Sequence, residues 1–394
     1  MIKVKKFKLV CLAVLSFTLL AGCGAQTTGK TESSTSSANS GDSGDIVVGM
    51  VNSETGDYAS AGVYIKDGVK MAVDEWNEKG GINGKKIKLI IQDDQSTPAG
   101  AVNAFNKLTS ENKLTGFVAP GYSVLAMAIM PNIDKIGIPT VTGSTNPKIT
   151  TMGNKWMFRS RTNDEIMAKL AAQYAVEKVS DQVAIIHDNN EFGSGGADAV
   201  KAALEAMKVK VLDNEGYNSG DKDFSAQLLN IKKSGAKVLI GWGHPLEDGL
   251  ILQQIKQLGL NIKVVGAAPY GQPVTLDLAK DAANGIVFVQ EYSSANSDPK
   301  VQEWAKKFKA NYNIESDFNA AGYYDGTNLL LTGIQKAKSL SAQDIRDSML
   351  NIKDYQGICG PYGFDANGEG FRSAVIVKVD QGKLNVIDQV TMKS

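Results

Sequence analysis

Twice along this chain, short β-branched runs alternate with segments of helical spacing, and that alternation restricts the fold to parallel sheets covered by helices on both faces. The first run opens with an apolar strand over 46–51. Residues 62–78 have helical spacing and stop at Gly80-Gly81, a fitting helix end. Asn83-Gly84 signals a turn ahead of a strand over 87–92. Thr97-Pro98 supplies an N-cap and a proline at the first helical position, which predicts a helix over 99–112. Strands over 117–119 and 138–141 bracket a helix over 123–135. After Arg159-Ser160-Arg161 the pattern restarts, with strands over 183–187, 209–212, 237–242, 262–266 and 286–290 and helices over 197–207, 224–234 and 246–258. The expected fold class is α/β, two doubly wound parallel-sheet lobes.

Ahead of this pattern, Lys3, Lys5, Lys6 and Lys8 precede an apolar stretch over 9–20 and then Ala21-Gly22-Cys23. The stretch, about 12 residues, is too short for a bilayer, which takes roughly 20 helical residues. The arrangement resembles the lipobox of a bacterial lipoprotein, so 1–22 is expected to be a signal peptide and Cys23 the lipidated N-terminus. The alternative is an ordinary secretory signal with an incidental cysteine. Either way the head is expected outside the cytoplasm, and the lipid would hold it at the bacterial cell membrane. Residues 24–44 are rich in Ser, Thr, Gly and Ala, and 23–44 reads as the lipidated cysteine with a flexible linker whose reach is roughly 25 Å.

Removing 22 of the 394 residues leaves 372, enough for two domains. The whole chain carries 42 basic and 42 acidic residues; without the four signal lysines the balance is 38 against 42. No Lys/Arg cluster follows the signal, which argues against a nucleic-acid partner. Cys11 leaves with the signal, so Cys359 is the only free thiol of the mature chain and reads as a small buried hydrophobe. A thiol or hydroxyl nucleophile needs a base, and the two histidines, His187 and His244, accompany no nucleophile motif. No metal-ligand spacing and no cofactor motif occurs, so neither an enzyme nor a metal or cofactor site is expected.

Ligands of doubly wound sheets bind beyond the carboxyl ends of the strands. Gly121-Tyr122-Ser123 follows a strand and opens a helix, whose N-terminus favours an anion; Ser123 as a plain N-cap is the competing reading. Thr142-Gly143-Ser144-Thr145-Asn146-Pro147 follows the next strand and offers hydroxyls and amides at the same sheet edge. Together the two junctions suggest a carboxylate cradle. Phe192-Gly193-Ser194-Gly195-Gly196 fails the dinucleotide spacing.

Longer matches then carry a resemblance. Asp74 to Lys85, Asp93-Asp94 with the Pro98 helix, Ser144-Thr145-Asn146-Pro147, Phe158-Arg159, Ala184 to Asp188 with Phe192-Gly193, Tyr217 to Phe224, His244-Pro245, Tyr323-Tyr324-Asp325 and Gly360-Pro361 fall in the order seen in branched-chain amino acid (leucine/isoleucine/valine) substrate-binding proteins of ABC importers. The chain resembles that family from about Ile46 to Val390. The resemblance implies a type I periplasmic-binding fold with a three-strand hinge, lobe 1 over 45–163 plus 292–376 and lobe 2 over 164–291 plus 377–394. It implies that Ser123 and Thr145 hold the ligand's carboxylate and amine, with Tyr122, Gly143 and Ser144 beside them. Phe192 would close over the ligand from lobe 2. Gly243 stands where the family has a second aromatic, with Trp242 next to it, and Tyr270 completes the expected lining. Ala268 stands where the family has an acid for the ligand's ammonium. Either Asp188, Glu191, Glu247 or Asp325 replaces it, or the ligand lacks an amine.

The function that follows is an extracytoplasmic solute-binding lipoprotein that closes on a small carboxylate, foremost a branched-chain or other apolar amino acid, and presents it to an ABC permease. Alternatives are an amine-free organic or aromatic carboxylate as ligand, or a sensor that reports its ligand to a membrane receptor.

Overall fold

The computed structural model describes residues 44–370 and 373–391. The expected signal 1–22, Cys23 and the linker up to residue 43 lie outside the described residues. Strands β1 (Ile46–Asn52), β2 (Ile87–Asp93), β3 (Gly116–Val118), β4 (Thr140–Thr142) and β5 (Met157–Arg159) form one sheet, all parallel, in the order β2-β1-β3-β4-β5. Helices α1 (Ala59–Glu78), α2 (Pro98–Glu111), α3 (Ser123–Ile136) and the short α4 (Lys148–Thr151) alternate with them.

The chain then crosses to a second sheet. In chain order it adds α5 (Asp164–Lys178), β6 (Val183–Asp188), α6 (Glu191–Ala206), β7 (Val211–Tyr217), α7 (Ser225–Ser234), β8 (Val238–Trp242), α8 (Pro245–Gln257), β9 (Lys263–Gly266), α9 (Pro273–Ala279) and β10 (Val287–Gln290). The parallel part runs β7-β6-β8-β9-β10, the same winding as the first sheet. A second crossover brings α10 (Pro299–Tyr312), α11 (Phe318–Lys336), α12 (Ala342–Leu350) and the strands β11 (Tyr355–Gln356) and β12 (Pro361–Tyr362) back to the first lobe. A third returns β13 (Ser373–Asp380) and β14 (Lys383–Thr391) to the second.

Two expectations shift here. The boundary expected between 376 and 377 falls inside β13, whose residues from Val375 already pair with β10, so the chain has rejoined the second sheet by Ser373. The second sheet is also not wholly parallel. β13 runs antiparallel to β10, and β14 antiparallel to β13 through a two-residue turn at Gln381-Gly382. Both turn residues have positive φ, 49° and 75°, the twist that a two-residue hairpin needs.

Each sheet is buried on both faces. In the first lobe, β1 side chains Ile46, Val48 and Met50 pack under α1, α10 and α11, while Val51 and Phe117 pack under α2 and α3. In the second, α5 and α6 cover one face and α7, α8 and α9 the other. Fully buried residues such as Val48 and Leu239 each contribute roughly 1.5–3 kcal/mol.

Helix α6 begins six residues before the expected 197. Its opening glycines read as a loop, yet Asn190 caps the helix, its Oδ1 accepting from the amides of Phe192 and Gly193 at 3.0 Å each. The glycines let the helix sit close to its neighbours: a Cβ at Gly196 would collide with the Trp242 ring, and one at Gly193 with the Asp188 backbone.

Candidate functional site

The cleft lies at the carboxyl ends of both parallel sheets. Its empty space is about 590 Å³, open solvent at the mouth included. The lobes already meet across it. Asn146 of the first lobe donates from Nδ2 to the Glu191 carbonyl of the second at 2.5 Å. Tyr58 and Tyr122 stack 3.7 Å apart, and their rings lie 5.4 and 5.0 Å from His244, which in turn stacks 5.2 Å from Phe192.

On the first-lobe side, Ser123 is the first residue of α3, and no side chain caps that helix. The helix N-terminus is therefore open to an anion. The plain N-cap reading of Ser123 fails, because its Oγ accepts from the Asn146 amide of the neighbouring loop at 3.3 Å instead. That loop is held from behind by Arg159, which is fully buried. Its guanidinium donates to the Ser144 carbonyl, to the Asn146 carbonyl at 2.9 Å and to Thr150 Oγ1 at 3.3 Å. Glu369 balances the charge, 2.9 Å from Nε. The Ser144 hydroxyl donates to the Pro120 carbonyl at 3.0 Å, which ties the two junctions together. Thr145 is thus presented to the cleft by a rigid loop.

Of the residues expected to bind, Tyr122, Ser123, Thr145, Phe192, Trp242 and Ala268 line the cavity. Gly143, Ser144, Gly243 and Tyr270 do not. Gly143 lies against the Tyr323 ring, Gly243 backs onto the Tyr217 hydroxyl, and Tyr270 is buried beneath Gly241 and Gly266.

None of the four acids expected to replace the one missing at Ala268 lines the cavity. Asp188 accepts from the Ser219 hydroxyl and the Asn190 amide, and Glu247 accepts from the Gly220 amide at 2.8 Å. The Glu191 side chain is exposed. Asp325 is inside the first lobe, taking the amides of Ile358 and Cys359 at 2.8 and 2.9 Å. Cys359 beside it is buried, as expected for a structural thiol.

Two acids that sequence reasoning did not select line the cavity instead: Asp164 and Glu291. Asp164 opens α5, where an acid reads as a helix-dipole partner, and this masked its position. Its amide donates to the Thr145 carbonyl at 2.9 Å, placing the carboxylate beside the cradle. Asp164 Oδ2 is buried without a hydrogen bond of good geometry, although the Thr145 hydroxyl and the Trp242 indole N–H, itself otherwise unpaired, lie close enough to act on the carboxylate. Burial raises the Asp164 pKa to about 7, and the Thr145 hydroxyl and the nearby Arg159 and Arg161 only partly offset it. Glu291, between β10 and α10, is ion-paired with Arg161 and keeps Oε2 buried without a partner.

His244 also lines the cleft. Burial pushes its pKa down to about 3, so the closed cleft holds a neutral imidazole. Asn190 Nδ2, 2.9 Å away, donates to Nε2, which puts the ring proton on Nδ1. Among the described residues no group of His, Cys, Asp and Glu is arranged to hold a metal ion.

The match to known proteins covers most of this architecture. A family model described as periplasmic binding protein matches residues 45–383. A leucine-, isoleucine-, valine-, threonine- and alanine-binding protein of Pseudomonas aeruginosa is 30% identical over 328 residues, 82% of this chain and 87% of that one. A Leu/Ile/Val-binding protein of Rhizobium johnstonii is 32% identical over 82% of this chain and 88% of its own. The solved branched-chain amino acid transporter substrate-binding protein of Streptococcus pneumoniae, in complex with isoleucine, superposes with a TM-score of 0.81 at 26% identity, covering 88% of this chain and all of that one. With a family model over most of its length and relatives of 30% and 32% identity, the chain belongs to the periplasmic binding protein family.

Proposed function

We propose that this protein is the extracytoplasmic solute-binding component of an ABC importer, held at the membrane through Cys23, and that its cleft closes on an amino acid. One observation carries the ligand class. The cleft sets an uncapped helix N-terminus and two hydroxyls, Ser123 and Thr145, beside a buried carboxylate oxygen of Asp164 that lacks a hydrogen bond of good geometry. Donors converge for an α-carboxylate, and an acceptor waits for an α-ammonium. Asp164 fills the role left vacant at Ala268.

Charge supports the same reading. Arg161 and Glu291 are the charged lining residues when His244 is neutral, and Asp164, whose pKa is about 7, is about half ionised near neutral pH. An amine-free carboxylate would bring a further negative charge toward Glu291 and the partly ionised Asp164, with Arg161 alone to offset them, a costly arrangement in a desolvated cleft. A zwitterion adds no net charge. The relatives named for leucine, isoleucine and valine support amino acids, and make these three the first to try. Closure would then create the surface that a membrane permease recognises, with affinity set by the difference between open and closed forms.

Calorimetric titration tests this. Amino acids should bind, and carboxylic acids of the same shape without the amine should bind far more weakly. Ser123→Ala and Thr145→Ala should each weaken binding by roughly 1–3 kcal/mol, because each removes a charge-assisted hydrogen bond. Unchanged affinity in both variants, or equal binding of the amine-free acids, rules the reading out.

A further inference from the structure

The floor of the cleft holds charged groups that the carboxylate and ammonium of a ligand do not use. Arg161, in the first crossover, donates from Nε to Glu291 Oε1 in the second, and from Nη1 to Asn319 Oδ1 at 3.4 Å. Its guanidinium lies over the Phe318 ring, 4.5 Å from the centroid. Two glycines make the room for it: a Cβ at Gly143 or Gly322 would press on the Arg161 stem at 2.9 and 2.8 Å. Asn319 and Gln272, both lining the cavity, donate to Asp317 Oδ2 at 3.0 and 3.4 Å, which orients their amides.

We propose that this end of the cleft is a specificity subsite for an amino acid whose side chain is neutral and hydrogen-bonding, a carboxamide or a hydroxyl, rather than branched and aliphatic. The inference rests on the reading that the cleft binds an amino acid. Its central observation is Glu291 Oε2, which lines the cavity, is buried and has no partner. A ligand donor satisfies that oxygen, and a ligand acceptor meets the guanidinium beside it. An aliphatic side chain does neither, and it would seal an unpaired carboxylate oxygen away from water. A charged side chain also fits poorly. Arg161 and Glu291 already neutralise each other, so a second ligand carboxylate would face Glu291 and a second ammonium would face Arg161. A site that hydrogen-bonds its substrate discriminates strongly against analogues lacking the bond, because its own polar groups are then left unpaired.

The test is a titration series on the wild-type protein with glutamine, asparagine, serine and threonine against leucine, isoleucine and valine, with glutamate and lysine added. At least one neutral polar amino acid should bind about tenfold or more tightly than the best aliphatic one. Aliphatic binding as tight as polar binding overturns the subsite, as does tightest binding of glutamate or lysine. Binding of no amino acid at all overturns the amino-acid reading, and the subsite with it; the failure of the subsite alone thus looks different from the failure of its basis. The double variant Arg161→Met with Glu291→Met should move the polar-to-aliphatic ratio toward leucine by about tenfold or more. The readout is a ratio, so a general loss of stability does not imitate it. An unchanged ratio overturns the assignment and leaves the pair a hinge strut.

Discussion

In the first lobe the junctions after the third and fourth strands, β3 and β4, present Ser123 and Thr145 to the cleft; in the second lobe the junctions at the same topological positions, after β8 and β9, present Trp242 with His244 and then Ala268. The winding is the same and the chemistry is opposite. First-lobe junctions end in hydroxyls and an open helix N-terminus, and Arg159 braces them through three hydrogen bonds from inside the lobe. Second-lobe junctions end in two rings and an alanine, and the His244 ring meets the other lobe's tyrosines at the cleft mouth. One lobe is a preformed cradle and the other is a cover. The difference follows from what each must do before the ligand is enclosed: a carboxylate needs oriented donors on first contact, whereas exclusion of water is needed only on closure.

The sharpest way to break this comparison is to remove the brace. Arg159→Met leaves the half-buried Glu369 without its main partner; removing one member of a buried pair costs about 3–5 kcal/mol, and the partial exposure of Glu369, with Thr150 and Asn163 still donating to it, puts this loss at about 3 kcal/mol. Urea denaturation should show that loss, and carboxylate binding should weaken with it because the Ser144 and Asn146 carbonyls are released. A variant with unaltered stability and affinity would mean that the cradle is not built in advance. The matching change in the cover is Phe192→Ala. Phe192 is half-buried, lines the cleft and stacks on His244 of the same lobe at the mouth. Stability should change little, and affinity should fall by about 1–2 kcal/mol through lost apolar contact on closure.

Between these lies Gly196→Ala. The new methyl would meet the Trp242 indole, which lines the cleft, so the ring must tilt or α6 must shift. Overpacking of this kind costs about 1–3 kcal/mol. Trp242 fluorescence reports it directly: an unshifted emission maximum with unchanged ligand affinity would show that the close helix–ring approach has no bearing on the cover.

Much of this contrast was legible in the chain. The alternating pattern marks the two windings, and the Ser123 and Thr145 junctions follow from strand ends meeting helix starts. What escaped was whatever depends on the return of the chain. Asp164 looks like an ordinary acid in a first helical turn, and only the crossover puts it beside Thr145. Glu291 and Arg161 are 130 residues apart and share no local signal. Helix α6 hides behind Gly193, Gly195 and Gly196, which local propensity counts against a helix and tertiary packing requires. Tyr270, expected in the lining, sits instead in a 3-10 turn over Ala268–Gly271 that directs it into the lobe.

The smallest effect separates cover from cradle by pH. In the closed cleft His244 has a pKa near 3, because burial among Tyr58, Tyr122 and Phe192 disfavours its cation. Glu247 and Asp188 flank the same mouth, but their carboxyls are occupied by the Gly220 amide and the Ser219 hydroxyl. Once the lobes part, the ring regains its ordinary value of about 6.5. Closure therefore requires the neutral ring: the closed form keeps its full advantage above that value and loses about tenfold per pH unit below it. Asp164 pulls the same way, since its pKa of about 7 must fall when an ammonium pairs with it, so amine binding also weakens as pH drops through 7. His244→Gln isolates the first contribution. Between about pH 5 and 6.5 the slope of log Kd against pH should fall by about one unit relative to wild type, leaving the part due to Asp164. The complementary Asp164→Asn variant should keep the His244 slope while losing the preference for amines. Equal slopes in wild type and His244→Gln would mean that the ring stays neutral, or stays wet, in both open and closed forms, and the mouth would then be a fixed wall rather than a cover.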